Sequence, residues 1–298
     1  MEIIIDGSSF DYRTDYQDDK TLRGSFDALA QQTFGFSFEA WYRSGNWTDR
    51  YRPYSLLQNG QVVANISVSP MDLNYMGQEL HCVQLGTVMT APALRNRGLI
   101  HFLMAQVLND WTSKCDGVYL YANQEVLDFY PKFGFAPVRE WRHSLALSGD
   151  EKRHGVRRII AGVTEDRLLL LKKYAQSNPF SLLSAEHNPG LLLFHCCFGS
   201  MRTCVYYMEE YGVVAIAESQ GDSLYCYDIF GTTSATLCQV LTALSGPETR
   251  KTVLGFTPKA GSACSVRPLR EKDCTLFVLG GKNLFQGKQM RLPALFRT

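Results

Sequence analysis

Two short stretches of the 298-residue chain combine side chains and backbone in ways that suit chemistry. The first is Val88-Met89-Thr90-Ala-Pro-Ala-Leu-Arg95-Asn96-Arg97-Gly98-Leu99-Ile100, an apolar run that gives way to a basic, glycine-containing loop. Beyond it Leu99, Leu103, Val107 and Trp111 recur every four residues with Ile100, Met104 and Leu108 beside them, which predicts an amphipathic helix starting near Gly98. The first turn of a helix leaves backbone N–H groups unpaired and carries the positive end of the macrodipole, so an anion is stabilised there. Arg95 and Arg97 add full charges, and Gly98 lets the main chain approach a ligand closely. The chemistry that fits is the holding of a pyrophosphate; the competing reading is a capped surface helix. The second stretch runs from Asn123 to Phe135 and predicts a short helix that carries Tyr130 and stops at Gly134, where a C-cap glycine is expected.

The flanking elements must bring these stretches together. Gln61–Val68 and Leu80–Met89 read as strands of a hairpin or meander, Gly117–Ala122 as a short buried strand, and Ala136–Leu147 as a return to strand. The helix from Gly98 then presents its N-terminus at a strand end. Pro92 has no N–H to give, as suits a loop where strand pairing stops. Thr21–Phe34 and Phe36–Tyr42 read as helices, preceded by Asp6, Asp11, Asp15, Asp18 and Asp19. Those acids either favour a cationic ligand at an entrance or form a solvated face. Likewise Trp41, Tyr42, Trp47 and Tyr51 either wall a pocket or form the core beneath the helices.

Arg95-Asn96-Arg97-Gly98-Leu99-Ile100 resembles the pyrophosphate motif Arg/Gln-x-x-Gly-x-Gly/Ala of the GNAT superfamily of acyl-CoA-dependent N-acetyltransferases. Phe129-Tyr130-Pro131-Lys132-Phe133-Gly134-Phe135 is similar to the later Phe-Tyr-x-Lys-x-Gly-Phe motif, without a gap and in the right order. Ile100 departs from the usual Gly or Ala, but the contact expected there is made by a backbone N–H, and the branch related to the enhanced-intracellular-survival acetyltransferases carries a bulky aliphatic at this place. The resemblance implies acetyl-CoA as co-substrate and no metal. It implies pyrophosphate binding by Arg95 through Ile100, and a backbone run, Val88, Met89 and Thr90, that pairs with pantetheine and polarises the thioester carbonyl. Asn123 matches a position that often contacts the cofactor, or it is simply an N-cap.

Transfer from a thioester to an amine also needs stabilisation of the departing thiolate, and Tyr130 is the candidate. With Tyr near pKa ~10 and a thiol near ~8.5, full proton transfer is uphill by about 2 kcal/mol, so Tyr130 acts chiefly as a hydrogen-bond donor, unless it merely packs. Phe129, Phe133 and Phe135 are assigned to packing and Lys132 to the surface. The acidic candidates for general base are Glu39, Asp72, Glu79 and Glu125. A terminal carboxylate serves in some related multidomain enzymes that carry a further, sterol-carrier-like domain, and Thr298 would supply one here; a water relay is the default.

Composition sets bounds. An apolar share of 45% supports proper cores, and 298 residues suggest two domains. With 30 basic and 29 acidic residues the net charge is +1, which argues against nucleic acid and anionic membrane as partners, and so against aminoacyl transfer from tRNA by tandem domains of this type. No apolar run is long enough to span a bilayer, and the start lacks a signal-peptide pattern, so the expected location is cytoplasmic. Nine cysteines without Cys-x-x-Cys spacing fit reduced thiols, and six scattered histidines form no metal-binding pair. With no Cys near the motifs paired in sequence to a His or Asp, direct attack is expected rather than a covalent enzyme intermediate.

Ser148–Gly155 is charged and glycine-bracketed, and suggests a boundary between a domain of residues 1–148 and another of 156–298. The second half reads as strand 156–163, helix 164–176, strands 203–209, 212–218 and 223–229, helix 234–244, and strands 251–256 and 274–279. The order repeats the first half without its motifs, and so resembles a degenerate GNAT-like repeat that would shape the acceptor pocket or a homo-oligomer contact. The expected fold is therefore α/β (α+β): a mixed, mostly antiparallel GNAT-type sheet flanked by helices, followed by a smaller GNAT-like α/β domain. The expected function is N-acetyl transfer to a primary amine of a small molecule or peptide. A non-catalytic acyl-CoA-binding sensor or scaffold is the alternative.

Overall fold

The computed structural model describes residues 1–147, 155–261, 264–280 and 288–298. In chain order the first part contains β1 (Glu2–Ile5), β2 (Ser8–Thr14), α1 (Lys20–Phe34), α2 (Glu39–Arg43), β3 (Arg52–Gln58), β4 (Gln61–Tyr75), β5 (Gln78–Thr90), α3 (Leu99–Trp111), β6 (Gly117–Ala122), β7 (Phe135–Pro137) and β8 (Trp141–Ala146). There follow β9 (Val156–Arg158), α4 (Thr164–Tyr174), β10 (Leu183–Glu186), α5 (Pro189–Leu193), β11 (Val205–Met208), β12 (Val213–Gln220) and β13 (Ser223–Gly231). The remainder is α6 (Leu237–Leu244), β14 (Lys251–Leu254), β15 (Ser265–Pro268), β16 (Thr275–Leu279) and a closing 3-10 turn, Ala294–Phe296.

These strands form two mixed, mostly antiparallel sheets. The nine-stranded sheet has the order β1-β2-β3-β4-β5-β6-β16-β7, with β10 joined to the far end of β4. The seven-stranded sheet has the order β15-β8-β14-β13-β12-β11-β9. Each sheet has a parallel pair, β5 with β6 and β13 with β14, and each pair is bridged by a helix, α3 or α6, because parallel neighbours need a crossover.

The two sheets face each other across one apolar core that includes Met71, Leu73, Cys82 and Tyr119 of the first sheet and Val205, Val214, Ile216 and Phe230 of the second. Helix α3 covers the other face of the first sheet through Leu99, Leu103, Met104 and Val107, and α6 covers the second through Leu237, Val240, Leu241 and Leu244. Strand alternation decides which side chain goes where: along β4, Ala64, Ile66 and Val68 join the α3 core, while Asn65, Ser67 and Ser69 turn to the opposite face.

Several expectations change. The run 136–147 is not one strand: β7 lies in the first sheet and β8 in the second, because the intervening Glu140 is drawn into a buried ion pair with Arg297. The expected short helix over 123–133 is two 3-10 turns, Gln124–Val126 and Tyr130–Phe133. Asn123 caps the first by accepting from the Glu125 N–H at 3.1 Å, Pro131 cannot donate within the second, and Gly134 ends it at φ 84°. Strands β1, β2, β3, β10 and β15 were not foreseen, and the strand expected at 156–163 is three residues long.

The proposed boundary at 148–155 lies outside the described residues except for Gly155, and strands pass it in both directions. Strand β8 belongs to the second sheet, and β16 is inserted between β6 and β7 of the first. Phe277 of β16 is 2% exposed and packs beside Tyr130, ring centroids 5.9 Å apart. Phe277→Ala should therefore cost about 3–5 kcal/mol, as a core aromatic does. Urea unfolding followed by near-UV circular dichroism checks this; a cost below 1 kcal/mol would mean that β16 contributes little to the first sheet.

Candidate active site

Strand β5 is paired on both sides only over part of its length. Its parallel ladder with β6 runs from Cys82↔Gly117 to Leu85↔Leu120, whereas β5 continues to Thr90 and β6 to Ala122. From Gly86 onward β5 keeps β4 and, among the described residues, has no strand on its other side, so an opening lies along Val88, Met89 and Thr90. A bulge accompanies it: Asn65 pairs with Met89 and Ser67 with Gly86, so Ile66 faces both Thr87 and Val88. Thr87 has the left-handed φ of 47° and is held from two sides. The Asn65 amide donates to its carbonyl at 2.9 Å, and its hydroxyl pairs with the Tyr51 hydroxyl at 2.5 Å.

The basic loop follows. Asn96 and Gly98 are left-handed, with φ of 62° and 81°, and α3 starts at Leu99. Leu99 is buried, and Ile100 packs into the α3 core, so its bulk points away from the loop and leaves the backbone N–H as the contact group. Arg95 and Asn96 are exposed. Arg97 is engaged elsewhere: its Nε donates to Asp6 Oδ2 at 2.7 Å, and its Nη2 donates to the Asp6 carbonyl at 3.1 Å and to Ser8 Oγ at 2.8 Å.

Tyr130 lies in the α3 core at 5% exposure, against Phe129, Phe135 and Phe277. Burial pushes its hydroxyl up to about 12, so the phenol stays protonated and able to donate. Phe129, Phe133 and Phe135 pack with it, and Lys132 is exposed.

On the opposite face of β5 lie residues that the sequence reading missed. Gln84 and Gly86 point away from α3 and meet the last residue of the sequence, Thr298, whose hydroxyl pairs with the Gln84 amide. A Cβ on Gly86 would come within 2.6 Å of Thr298 Oγ1, so glycine is the residue that admits this contact. Buried Ser55, Asn65, Ser67 and Ser69 continue the polar face, with Asn65 accepting from Ser55 at 2.8 Å and donating to Ser67 at 2.9 Å. The signal was present in Asn65-Ile-Ser67-Val-Ser69, where polar residues alternate within a strand too central to be half exposed.

The segment that brings Thr298 there is anchored throughout. Arg297 pairs with Glu140 at 3.2 Å and also with Glu271, and its guanidinium lies 4.5 Å from the Tyr121 ring centroid. The Arg291 guanidinium pairs with Glu271 at 2.6 Å and donates to the Leu254 carbonyl at 3.0 Å, and the Ala294 N–H donates to the Gly255 carbonyl at 2.8 Å. Those last contacts fall where the second sheet opens in the same way: the β13–β14 ladder ends at Cys226↔Leu254, and Tyr227 is bulged there. The C-terminal segment thus lies on the opening of the second sheet and reaches that of the first.

Two of the acidic candidates are held in ion pairs. Glu39 is paired with Arg23 and Arg43, and Asp72 with Arg50 and His81. Glu79 begins β5, on the order of 35 Å along the strand from Thr90. Glu125 stands in the turn that Asn123 caps. Of the N-terminal acids, Asp6 holds Arg97, Asp18 accepts from the Tyr42 hydroxyl and Asp19 caps α1, so these carboxylates have structural partners. Trp41, Trp47 and Tyr51 are core residues, stacked with Phe26 and Phe38.

Residues 18–138 match the family model of the acetyltransferase (GNAT) domain, and this part of the chain is a GNAT domain. No curated protein matches the sequence. Among solved structures, the chain resembles a conserved protein of unknown function from Enterococcus faecalis V583 described as a probable N-acyltransferase, with 14% identity over 91% of this chain and 72% of that one and a TM-score of 0.61. It also resembles Eis1 from Mycobacterium abscessus, with 14% identity over 90% and 72% and a TM-score of 0.56. A GCN5-related N-acetyltransferase from Kribbella flavida aligns with 17% identity over 90% and 71% and a TM-score of 0.53. These likenesses extend the fold over both sheets. The domain is of a kind that supports acyl transfer, and no described helix is long and apolar enough to cross a membrane.

Two outcomes test this geometry. Gly86→Ala should destabilise the protein by about 1–3 kcal/mol through overpacking and make the segment around Arg297 more susceptible to trypsin; unchanged stability and resistance would mean that Thr298 is not seated there. Asp228, buried beside the second bulge and bonded to Asn178 at 2.6 Å, has its carboxyl pushed up to about 7 by burial. The native state then binds more protons than the unfolded one above its usual pKa of ~3.9, so stability falls as pH rises from about 4 to about 7 and levels off beyond. Asp228→Asn should remove that slope when urea midpoints are compared at pH 5 and pH 8; parallel slopes in both proteins would show that the group does not titrate in this range.

Proposed function

We propose that the chain is an N-acetyltransferase that moves the acetyl group of acetyl-CoA to a primary amine of a small molecule or peptide. The observation that carries this reading is the opening of the β5–β6 ladder beyond Leu85, followed by the left-handed loop at 95–98, with Tyr130 in the core beneath α3. The backbone N–H groups from Asn96 to Ile100, with the exposed Arg95, would hold the pyrophosphate. The unpaired edge of β5 at Val88, Met89 and Thr90 would receive the pantetheine arm and polarise the thioester carbonyl, and Asn123, at the end of β6, borders the same opening.

The acceptor amine would approach from the polar face formed by Asn65, Ser67, Gln84 and Gly86, opposite α3. It must arrive neutral, and among these uncharged side chains its proton passes to water. With Tyr130 near 12 and a thiol near ~8.5, full proton transfer to the thiolate is uphill by on the order of 5 kcal/mol, so Tyr130 acts as a hydrogen-bond donor. Attack is direct. The nearest thiol on β5, Cys82, faces the inter-sheet core and is pushed up to about 12 by burial, where it is a poor nucleophile. The nine cysteines are all free thiols, which suits the reducing cytoplasm.

Calorimetric titration with acetyl-CoA, followed by thiol release against amines, amino sugars and lysine peptides, tests the proposal. One acetyl-CoA per chain with thiol release is expected, whereas binding without release from any acceptor would favour a sensor or scaffold. Tyr130→Phe should lower kcat by about 100-fold with little change in acetyl-CoA affinity. In the unaltered enzyme kcat should not decline up to about pH 11, since the phenol deprotonates only near 12; a descending limb centred near 10 would mean that Tyr130 is not the donor.

A further inference from the structure

We propose that Asp6, on the N-terminal hairpin, is a positioning residue for acyl-CoA: through Arg97 it fixes the pyrophosphate loop, and Arg95 alone of the two arginines meets the phosphates. The inference rests on the reading of residues 95–100 as the pyrophosphate site.

The hairpin is built to present the carboxylate. Ile5 pairs with Ser8, and the two residues between them, Asp6 and Gly7, are both left-handed, with φ of 49° and 71°, as a tight two-residue hairpin turn requires. The turn lies against the loop at two places. Ile5 Cγ2 is 3.7 Å from where a Cβ on Gly98 would stand, and Ile3 and Ile5 pack into the core under α3. Asp6 and Ser8 take three hydrogen bonds from the Arg97 guanidinium, using Nε and Nη2 and leaving only Nη1 uncommitted.

The position of Arg97 explains why the loop needs this tie. It sits between left-handed Asn96 and left-handed Gly98, and the conformation that aims successive N–H groups at one point is unfavourable for a non-glycine residue. Such a conformation persists where its surroundings over-determine it. An arginine anchored midway by a fork of hydrogen bonds to another element does that, and its side chain is 28% exposed against 61% for Asp6. Arg95 is exposed and stands before both left-handed residues, free to turn to a ligand. The hairpin lies before residue 18, where the GNAT family match begins.

Titration calorimetry of acetyl-CoA over a NaCl series, with S-acetylpantetheine as the ligand lacking pyrophosphate, decides the matter. Asp6→Asn and Arg97→Ala should each weaken acetyl-CoA by about tenfold, and the double variant should be no weaker than either, as coupled partners behave. S-acetylpantetheine should be unaffected in all of them. The dependence of log Kd on log[NaCl] should keep its slope in both variants but fall by about one in Arg95→Ala. Ser8→Ala, which spares the charge, should weaken acetyl-CoA in the same direction.

Unchanged or tighter binding by Asp6→Asn would overturn the inference, as would a reduced salt slope in Arg97→Ala, which would place that guanidinium on a phosphate. Failure of the unaltered protein to bind acetyl-CoA would overturn the site reading and this inference with it.

Discussion

A strand inside a sheet pairs its backbone with two neighbours, and β5 does so only as far as Leu85. Beyond that point its outer N–H and C=O groups face an opening. A buried backbone that gives up a neighbour needs another partner, so the opening is a place for an extended ligand to pair. Just past that point lie the bulge at Thr87, the hydrogen bond that Asn65 donates to its carbonyl, and the hydroxyl pair it makes with Tyr51. The helix start at Leu99 follows that gap along the chain, after the loop at 95–98.

The second sheet repeats the arrangement with a different outcome. Its parallel pair parts after Cys226 and Leu254, a bulge follows at Tyr227, and α6 stands where α3 does in the first sheet. No basic loop precedes α6, and the backbone of Gly255 is met by Ala294 of the C-terminal segment. One opening is therefore partly covered by the chain itself. The same segment, held by the Arg297 pairs to Glu140 and Glu271, continues to Gly86 on the polar face of the other. Ion pairs sealed in this way are weak arguments for stability but strong ones for fixed geometry, since breaking either partner strands a buried charge.

Much of the first sheet was legible in the sequence because its signals are local. The four-residue recurrence from Leu99, the alternation through β4 and β5, Gly134 as a left-handed cap and the Arg95–Ile100 run each report the conformation of their own neighbourhood. Tyr130 could be singled out from its motif, but its burial and the upward push that burial gives its pKa could not. Arg97 shows the limit. Its residue type in that loop suggests a phosphate ligand, and nothing within the loop tells that Asp6, 91 residues away, holds its guanidinium.

The sequence by itself determined the central strands of the first sheet and the GNAT-type loop with the helix that follows it, because periodicity and capping are properties of consecutive residues. Only the tertiary structure decided that β5 parts from β6 after Leu85, that β8 and β16 change sheets, that Gln84, Gly86 and Thr298 meet, and that Glu39 and Asp72 are held in ion pairs. Those outcomes depend on which buried faces and charges find each other across long separations, as Glu140 finds Arg297 over 157 residues and Phe277 fills the space beside Tyr130. A pairing of that kind is set by packing of the whole chain, which local residue order does not encode.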